Sequence, residues 1–257
     1  SKRPLEEKMA LFWHGHFATN EEKVRDYRKL LNQNQVFREY GTANFKRLLI
    51  EVSQDPAMLS FLDAGVNVKG SPNENFAREI MELFTMGVGQ YTEEDIREAA
   101  RAFTGWNYID LQFVVNAEQH DSSDKIFFGN TGNWDGLDVI DMILEKPVTA
   151  EYISGKIYKF FVRDDIDPKT KKELGAVLQN SAYEIKPLLE KIFLSKDFYS
   201  SASMGTHIKS PVELVISTYK KLGLVVIPGV PDFYDTTESL GQILLFPPTV
   251  AGWAGGQ

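Results

Sequence analysis

Residues 71–106 read SPNENFAREIMELFTMGVGQYTEEDIREAARAFTGW, and this stretch contains the strongest helix signals in the sequence. Ser71 is followed by proline and, three positions further on, by glutamate, which is typical of a capped helix start. Thr92 begins a weaker version of the same pattern. Apolar residues at helical spacing follow both positions. We therefore predict helices over 72–86 and 93–104.

The same start and stop patterns recur along the rest of the chain. Serine or aspartate followed by proline marks several starts, and glycine follows several apolar-periodic stretches. Together these patterns predict further helices over 4–16, 20–32, 43–53, 56–63, 136–145, 150–162, 168–180, 185–195, 211–222 and 234–242. The prediction is a mainly α protein, built as an irregular multi-helix bundle.

One stretch interrupts the helical pattern. Residues 108–115 are rich in β-branched and aromatic side chains, and residues 125–129 are of the same kind. We predict that these two runs pair as one small β-hairpin, inserted at about 107–130, with a loop at 129–133. No linker divides the chain, so a single helical domain is expected over 1–257.

Composition limits the classes of function. The net charge is −8, with 36 acidic against 28 basic residues and no basic block, so we expect no nucleic-acid partner. Cysteine is absent, which excludes disulfides, thiolate metal sites and cysteine nucleophiles. The apolar runs are too short to predict a transmembrane segment, and no basic-then-apolar leader opens the sequence.

The helix predicted over 72–86 carries a polar stripe. At 100° per residue, Asn75, Arg78, Glu79 and Glu82 share about one third of its circumference. Arg78 and Glu82 are four residues apart and are therefore able to pair. Two interpretations stay open: a solvated face with a surface ion pair, or a carboxylate pair held in a cleft by arginine.

Histidine occurs in two further places of interest. His14 and His16 would point about 200° apart on a helix, so they could share a metal only if Gly15 ends or distorts that helix. The alternative is a pair of buried histidines with satisfied hydrogen bonds. His120 and Asp121 lie in a predicted loop, either as an acid–base or ligand pair or as a turn in which the aspartate bonds the backbone.

The ordered motifs resemble one family along nearly the whole chain. They are KMALFWHGHF from residue 8, NENFAREIMELF from 73, YTEED from 91, AFTGW from 102, His120-Asp121, IKSP from 208 and PPTVAGW from 247. This order is similar to the large bacterial family catalogued as domain of unknown function eighteen hundred. The resemblance implies no established reaction. It implies that members extend beyond both ends of this central part, and that many are exported, so a periplasmic or extracellular location is expected.

Two functions are compatible with the motifs. The first is a metal-dependent, hydrolase-like enzyme, whose divalent-metal ligands would be His14, His16, Glu79 and His120. Its catalytic residues would be Glu82 as general base, Arg78 to orient an anion, and Asp121. The second is a non-catalytic binding or assembly module with a protein or polysaccharide partner, in which the polar stripe is a structural network.

Overall fold

The computed structural model describes residues 3–224 and 232–253, which fold mainly as helices. The helices are α1 Pro4–His16, α2 Glu21–Val24, α3 Tyr27–Tyr40, α4 Phe45–Ser53, α5 Pro56–Phe61, α6 Asn75–Met81, α7 Glu93–Ala102, α8 Gly136–Glu145, α9 Pro147–Phe161, α10 Pro168–Asn180, α11 Ile185–Phe193, α12 Pro211–Lys221 and α13 Phe233–Ser239. A 3₁₀ turn covers Ala64–Val66, and a π-helical turn covers Glu82–Met86. The mainly α prediction is confirmed.

Several predicted helix starts are confirmed because their signal is local. In each, the side chain of the cap residue accepts a hydrogen bond from the backbone N–H of the third helical residue. The side chain of that third residue in turn accepts a hydrogen bond from the backbone N–H of the cap residue. The pairs are Thr92 with Asp95, Asp135 with Asp138, and Ser210 with Glu213.

The helix start predicted at residue 72 is wrong. Ser71 does not cap a helix, because it forms an antiparallel bridge with Val68. The helix begins at Asn75, whose N–H donates to Asn73 Oδ1 at 2.9 Å. The helix predicted as far as residue 86 also changes character at Glu82, where the π-helical turn starts.

The helix predicted over 20–32 is two helices. Arg25 adopts a left-handed conformation with φ 54°, which ends α2 after a single turn. Asp26 then caps α3 by accepting the N–H of Arg28, and α3 continues to Tyr40. The apolar spacing continues across this break, so periodicity alone did not reveal it.

The predicted β insertion is confirmed, but the predicted pairing of its two runs with each other is wrong, because the region forms two separate hairpins. Strand β1 Trp106–Ile109 pairs antiparallel with β2 Gln112–Val115, and β3 Lys125–Phe127 pairs antiparallel with β4 Asn130–Gly132. Each hairpin turns on two residues, with Asp110 at φ 53° in the first, and Phe128 and Gly129 at φ 49° and 79° in the second. Positive φ at these positions is the geometry that closes tight hairpins, so each strand pairs with the strand that follows it directly in sequence.

The helices enclose one extended core, to which α1 contributes Trp13 and Phe17. The indole N–H of Trp13 donates to Gly41 O at 2.8 Å, which fixes α1 against the end of α3. Phe17 and Phe45 both stack against this indole, at centroid distances of 5.5 and 5.7 Å. Among the described residues, no helix combines the length and the apolar character that crossing a membrane requires.

Gly41 has no room for a side chain. A Cβ built there lies 2.2 Å from Phe37 O and 2.7 Å from Trp13 Cδ1. We expect Gly41→Ala to lower the free energy of unfolding by about 2 kcal/mol or more, because the methyl displaces Trp13 and its hydrogen bond. Gly15→Ala is the matched control. Its methyl meets only Trp253, at 4.0 Å, and alanine is favoured over glycine in helices by up to about 1 kcal/mol.

Urea unfolding followed by tryptophan fluorescence measures both variants. Equal stability of the Gly41 and Gly15 variants would show that the end of α3 tolerates a side chain.

Candidate functional site

The histidine motif, residues 13–17, ends α1, and its two imidazoles have different hydrogen-bond partners. His14 Nε2 accepts the N–H of Leu245 at 3.0 Å, whereas His16 Nε2 donates to Phe84 O at 3.0 Å. The two rings therefore carry their protons on different nitrogens. Burial lowers the pKa of His14 to about 4. Burial and, secondarily, the charge of Lys156 place the pKa of His16 well below its usual range.

A C-terminal segment, residues 243–253, docks on this end of α1. A Cβ on Gly252, which has φ +87°, would lie 2.4 Å from Gly15 O, so only glycine permits the approach. The Trp253 ring meets His14 edge-on at a centroid distance of 5.1 Å. Asn20 Nδ2 donates to Pro247 O at 2.8 Å. The predicted His-x-His motif and the tryptophan motif of the C-terminal segment thus form one contact.

The His14 contact depends on pH. The folded pKa of about 4 lies below the unfolded value near 6.5, so the unfolded chain binds the proton first as the pH falls. His14 therefore stabilises the fold above pH 6.5, and this contribution is lost on acidification towards pH 4. We expect the difference in unfolding free energy between wild type and His14→Gln to shrink by about 1.4 kcal/mol per pH unit across this window.

Glutamine can keep an acceptor near Leu245, so the variant isolates the titration. Comparison with the variant is essential because burial raises the pKa of Asp55 to about 7, which acts in the opposite direction in both proteins. Urea titrations at several pH values give the difference. A difference that is constant from pH 7 to pH 4 would show that His14 does not titrate in this way.

Between α1 and α9 lies a cavity of about 600 Å³. One stripe of α1 lines it with Leu11, Phe12, Gly15 and His16, and one stripe of α9 lines it with Tyr152, Gly155, Lys156, Lys159 and Phe160. The remaining wall comes from the segments beyond these helices: Asp164, Ile166, Lys171, Ser210, Gln242, Ala251 and Trp253. Docking of the C-terminal segment on α1 therefore helps to close the cavity.

Positively charged residues outnumber negatively charged ones in the lining of the cavity. Lys156, Lys159 and Lys171 line it together with one carboxylate, Asp164, although the whole chain is acidic. Burial and the neighbouring Lys159 lower the pKa of Lys156 to about 8. His16 stays neutral, for the reason given above. The cavity thus combines aromatic walls with cationic donors.

The π-helical turn supports both walls of the cavity. Tyr152 donates its hydroxyl to Leu83 O at 3.1 Å, and His16 donates to Phe84 O. The Thr85 hydroxyl in this turn donates back to Ile80 O of α6 at 2.5 Å. Carbonyls of the turn are therefore bonded by side chains of α1 and α9, which fixes the positions of two lining residues.

The polar stripe is largely engaged in local contacts. Arg78 pairs with Glu74 at 3.0 Å and Glu93 at 2.8 Å, rather than with Glu82. Glu82 accepts the hydroxyl of Tyr91. Glu79 is half-buried and forms no hydrogen bond or ion pair within residues 3–224 and 232–253. Burial and the nearby Glu82 raise its pKa.

The ionised carboxylate of Glu79 therefore lowers the free energy of unfolding. A raised folded pKa means that its ionised form destabilises the native state, so stability rises as the pH falls through the titration. We expect Glu79→Gln to leave the free energy of unfolding unchanged or to raise it by up to about 1 kcal/mol at pH 7, and to have less effect at pH 4. Chemical denaturation at both pH values measures this. A loss above about 2 kcal/mol would place Glu79 in a buried network that requires its charge.

The His120–Asp121 corner holds the two hairpins against α7. His120 Nδ1 donates to Thr104 O at 2.9 Å, so a carbonyl rather than Asp121 orients the imidazole. Burial opposes ionisation of Asp121, but hydrogen bonds from Ser123 and Arg101 outweigh it and hold the pKa of Asp121 well below its usual range. Such a carboxylate is a weak general base.

The proposed metal ligands do not converge. His14, His16 and His120 each bond a different backbone group, at Leu245, Phe84 and Thr104. Across the described part of the chain, no three histidine, aspartate or glutamate side chains are placed to hold one ion. Glu79, Glu82 and Arg78 lie together on one stripe, outside the lining of the cavity.

The family model described as "Protein of unknown function (DUF1800)" matches residues 1–257. The chain belongs to this family. No curated protein and no solved structure matches it. The family identity therefore assigns no reaction, and the function of this DUF1800 chain has to be argued from its own cavity.

Sequence reasoning missed the lysines of the cavity in this DUF1800 chain. Lys156 and Lys159 are three residues apart on α9, next to Tyr152 and Phe160. Lysine at helical spacing is usually solvated, so the sequence pattern predicts an exposed face and gives no sign of a cavity wall. A stripe that mixes aromatic residues with lysine, on a helix whose other faces are already apolar, is the signal that could have indicated a cavity wall.

Proposed function

We propose that this domain is a binding module for a small organic anion with an aromatic or aliphatic body, held in the cavity between α1 and α9. The observation that carries the proposal is the lining itself. About 600 Å³ lies within the usual range of ligand sites, and the walls combine apolar and aromatic residues with a cluster of lysines. Three ammonium groups face one carboxylate, so an anionic ligand would restore the charge balance.

The state of Lys156 supports an anionic ligand in particular. Its amine has no hydrogen-bond acceptor and no carboxylate partner within the described ranges, and it lies over the Tyr152 ring, 5.1 Å from the ring centroid. A desolvated cation without a counter-ion is unfavourable. A bound anion would therefore supply the counter-ion that the described residues do not provide.

The polar stripe then has a structural role. Arg78 ties α6 to the start of α7 through Glu93, and Asp121 ties α7 to the loop before β3 through Arg101 and Ser123. The metal-dependent hydrolase receives no comparable support, because its three histidine candidates bond separate backbone groups and Glu79 lies outside the lining of the cavity. A location outside the cytoplasm stays a prediction from the family resemblance.

A matched pair of fluorescent probes tests the proposal. The first is 8-anilinonaphthalene-1-sulfonate, and the second is 1-anilinonaphthalene, which has the same body without the anion. We expect the sulfonate to bind one site at least ten-fold more tightly, since one good charge-assisted contact is worth about 1.4 kcal/mol. Fluorescence titration and calorimetry give affinity and stoichiometry.

Variants locate the site. Lys171→Met is expected to weaken the sulfonate about ten-fold, while Lys169→Met, on the exposed side of the same helix, leaves it unchanged. Gly15→Leu fills the cavity without meeting backbone and should abolish binding of both probes with the fold retained. Equal affinity for the two probes, or full binding by the Gly15 variant, would reject the proposal.

The same preparations test the metal hypothesis. Protein purified without a histidine tag is heated with and without zinc, manganese or calcium. A binding module without a metal site shows no change in Tm, whereas a rise of several degrees that is lost in His120→Ala would favour the hydrolase.

A further inference from the structure

Among the described residues, burial lowers the pKa of two lysine amines, Lys125 and Lys156, and the two differ in their hydrogen-bond partners. Lys125 is 1% exposed, and its ammonium donates to Asp121 O at 2.6 Å, Ser123 O at 3.0 Å and Asn133 Oδ1 at 3.3 Å. Its three hydrogens are all used, so it is a structural cation. Lys156 has no such acceptors among the described residues. The amine of Lys156 therefore forms no hydrogen bond that stabilises the described part of the fold.

The surroundings of Lys156 favour a neutral amine. It is half-buried on the cavity wall, close to the Tyr152 ring, and Lys159 lies one turn further along α9. An apolar pocket and a second cation both disfavour the protonated form. With a pKa of about 8, roughly a quarter of the amine is neutral at pH 7.5, against about a thousandth for an ordinary lysine. A neutral amine in such a pocket is a nucleophile.

The neighbouring cations place an anion beside that amine. Lys171 lies across α9 at Gly155, where a built Cβ would come within 3.3 Å of Lys171 Cε. Gly155 precedes Lys156, so the absence of a side chain allows Lys171 to approach the same part of the cavity. A carboxylate held by Lys171 and Lys159 would set the adjacent carbon of the ligand near Lys156.

We propose that Lys156 is a carbonyl-reactive residue that forms an imine with an oxo acid bound in the cavity. The proposal rests on the proposed function, because the same cavity holds the same class of anion. It goes further by assigning a covalent step and the atom that performs it.

The step balances without an oxidant or reductant. The lone pair of Lys156 Nζ forms a bond to the ketone carbon, and the C=O π pair moves to oxygen to give a carbinolamine. The carbinolamine then loses that oxygen as water, with both hydrogens of the neutral amine, and leaves a C=N bond. Water is the only leaving group, so the reaction is reversible.

Reductive trapping tests the inference. The full chain is incubated at pH 7.5 with 2-oxo-4-phenylbutyrate and sodium cyanoborohydride, and the products are mapped by peptide mass spectrometry. We expect one adduct, with the mass of the acid minus one oxygen, formed at Lys156 at least ten-fold faster than at Lys159 or Lys169. Lys156→Arg should form no such adduct, whereas Lys169→Met, on the exposed side of α10, should form it at Lys156 at the wild-type rate and bind 8-anilinonaphthalene-1-sulfonate as wild type does.

A second ligand separates failure of this inference from failure of the proposed function. 4-Phenylbutyrate has the same body and carboxylate but no ketone, so it should compete with the oxo acid without forming an adduct. If both acids bind in the cavity but the adducts spread evenly over surface lysines, the imine is rejected and the binding module stands. If neither acid binds, both proposals fail.

Discussion

A partly buried hydrogen bond joins α1 to the C-terminal segment, from the N–H of Leu245 to Nε2 of His14. Leu245 is held there in a left-handed conformation, φ 67°, which a leucine adopts only at a cost of about 1 kcal/mol or more. Its carbonyl also accepts the N–H of Glu21 at 2.9 Å, so both backbone groups are fixed. The strained turn brings Gly252 onto Gly15, and that contact places Trp253 at the cavity.

The cavity has an electrostatic character that the whole chain does not share. The chain as a whole carries a net charge of −8, whereas the lining of the pocket is mainly apolar and cationic. The neutral imidazole of His16 matters here, because a charged ring beside Lys156 would add a second unpaired cation. Burial of the histidine motif therefore does more than stabilise the core. It keeps the wall of α1 uncharged and leaves charge recognition to the lysines of α9 and α10.

The sequence predicted those features that depend on neighbouring residues. Capping at Thr92, Asp135 and Ser210 was predictable because cap and acceptor lie within one turn. The two hairpins were merged into one because the composition of a strand does not specify its partner, whereas positive φ at Asp110 and Phe128 does. The family was recognised from ordered motifs, which require no knowledge of three-dimensional contacts.

The candidate site was predictable only in part, because its contacts join residues that are distant in sequence. His14 and His16 were singled out by residue type, but their partners Leu245 and Phe84 are distant in sequence and contribute backbone atoms. No side-chain pattern encodes a backbone acceptor. Lys156 was overlooked because its burial depends on the packing of α1 against α9 and on the C-terminal segment, which no local window contains.

The π-helical turn at Glu82–Met86 has a consequence for how this chain tolerates changes in length. A π turn is one residue longer than the α turn it replaces, and that extra residue directs the oxygens of Leu83 and Phe84 outward. Deleting one residue here would restore ordinary pitch and withdraw both acceptors, stranding the hydroxyl of Tyr152 and the N–H of His16. The loss of one residue here would thus affect two sides of the pocket at once, the wall from α1 and the wall from α9.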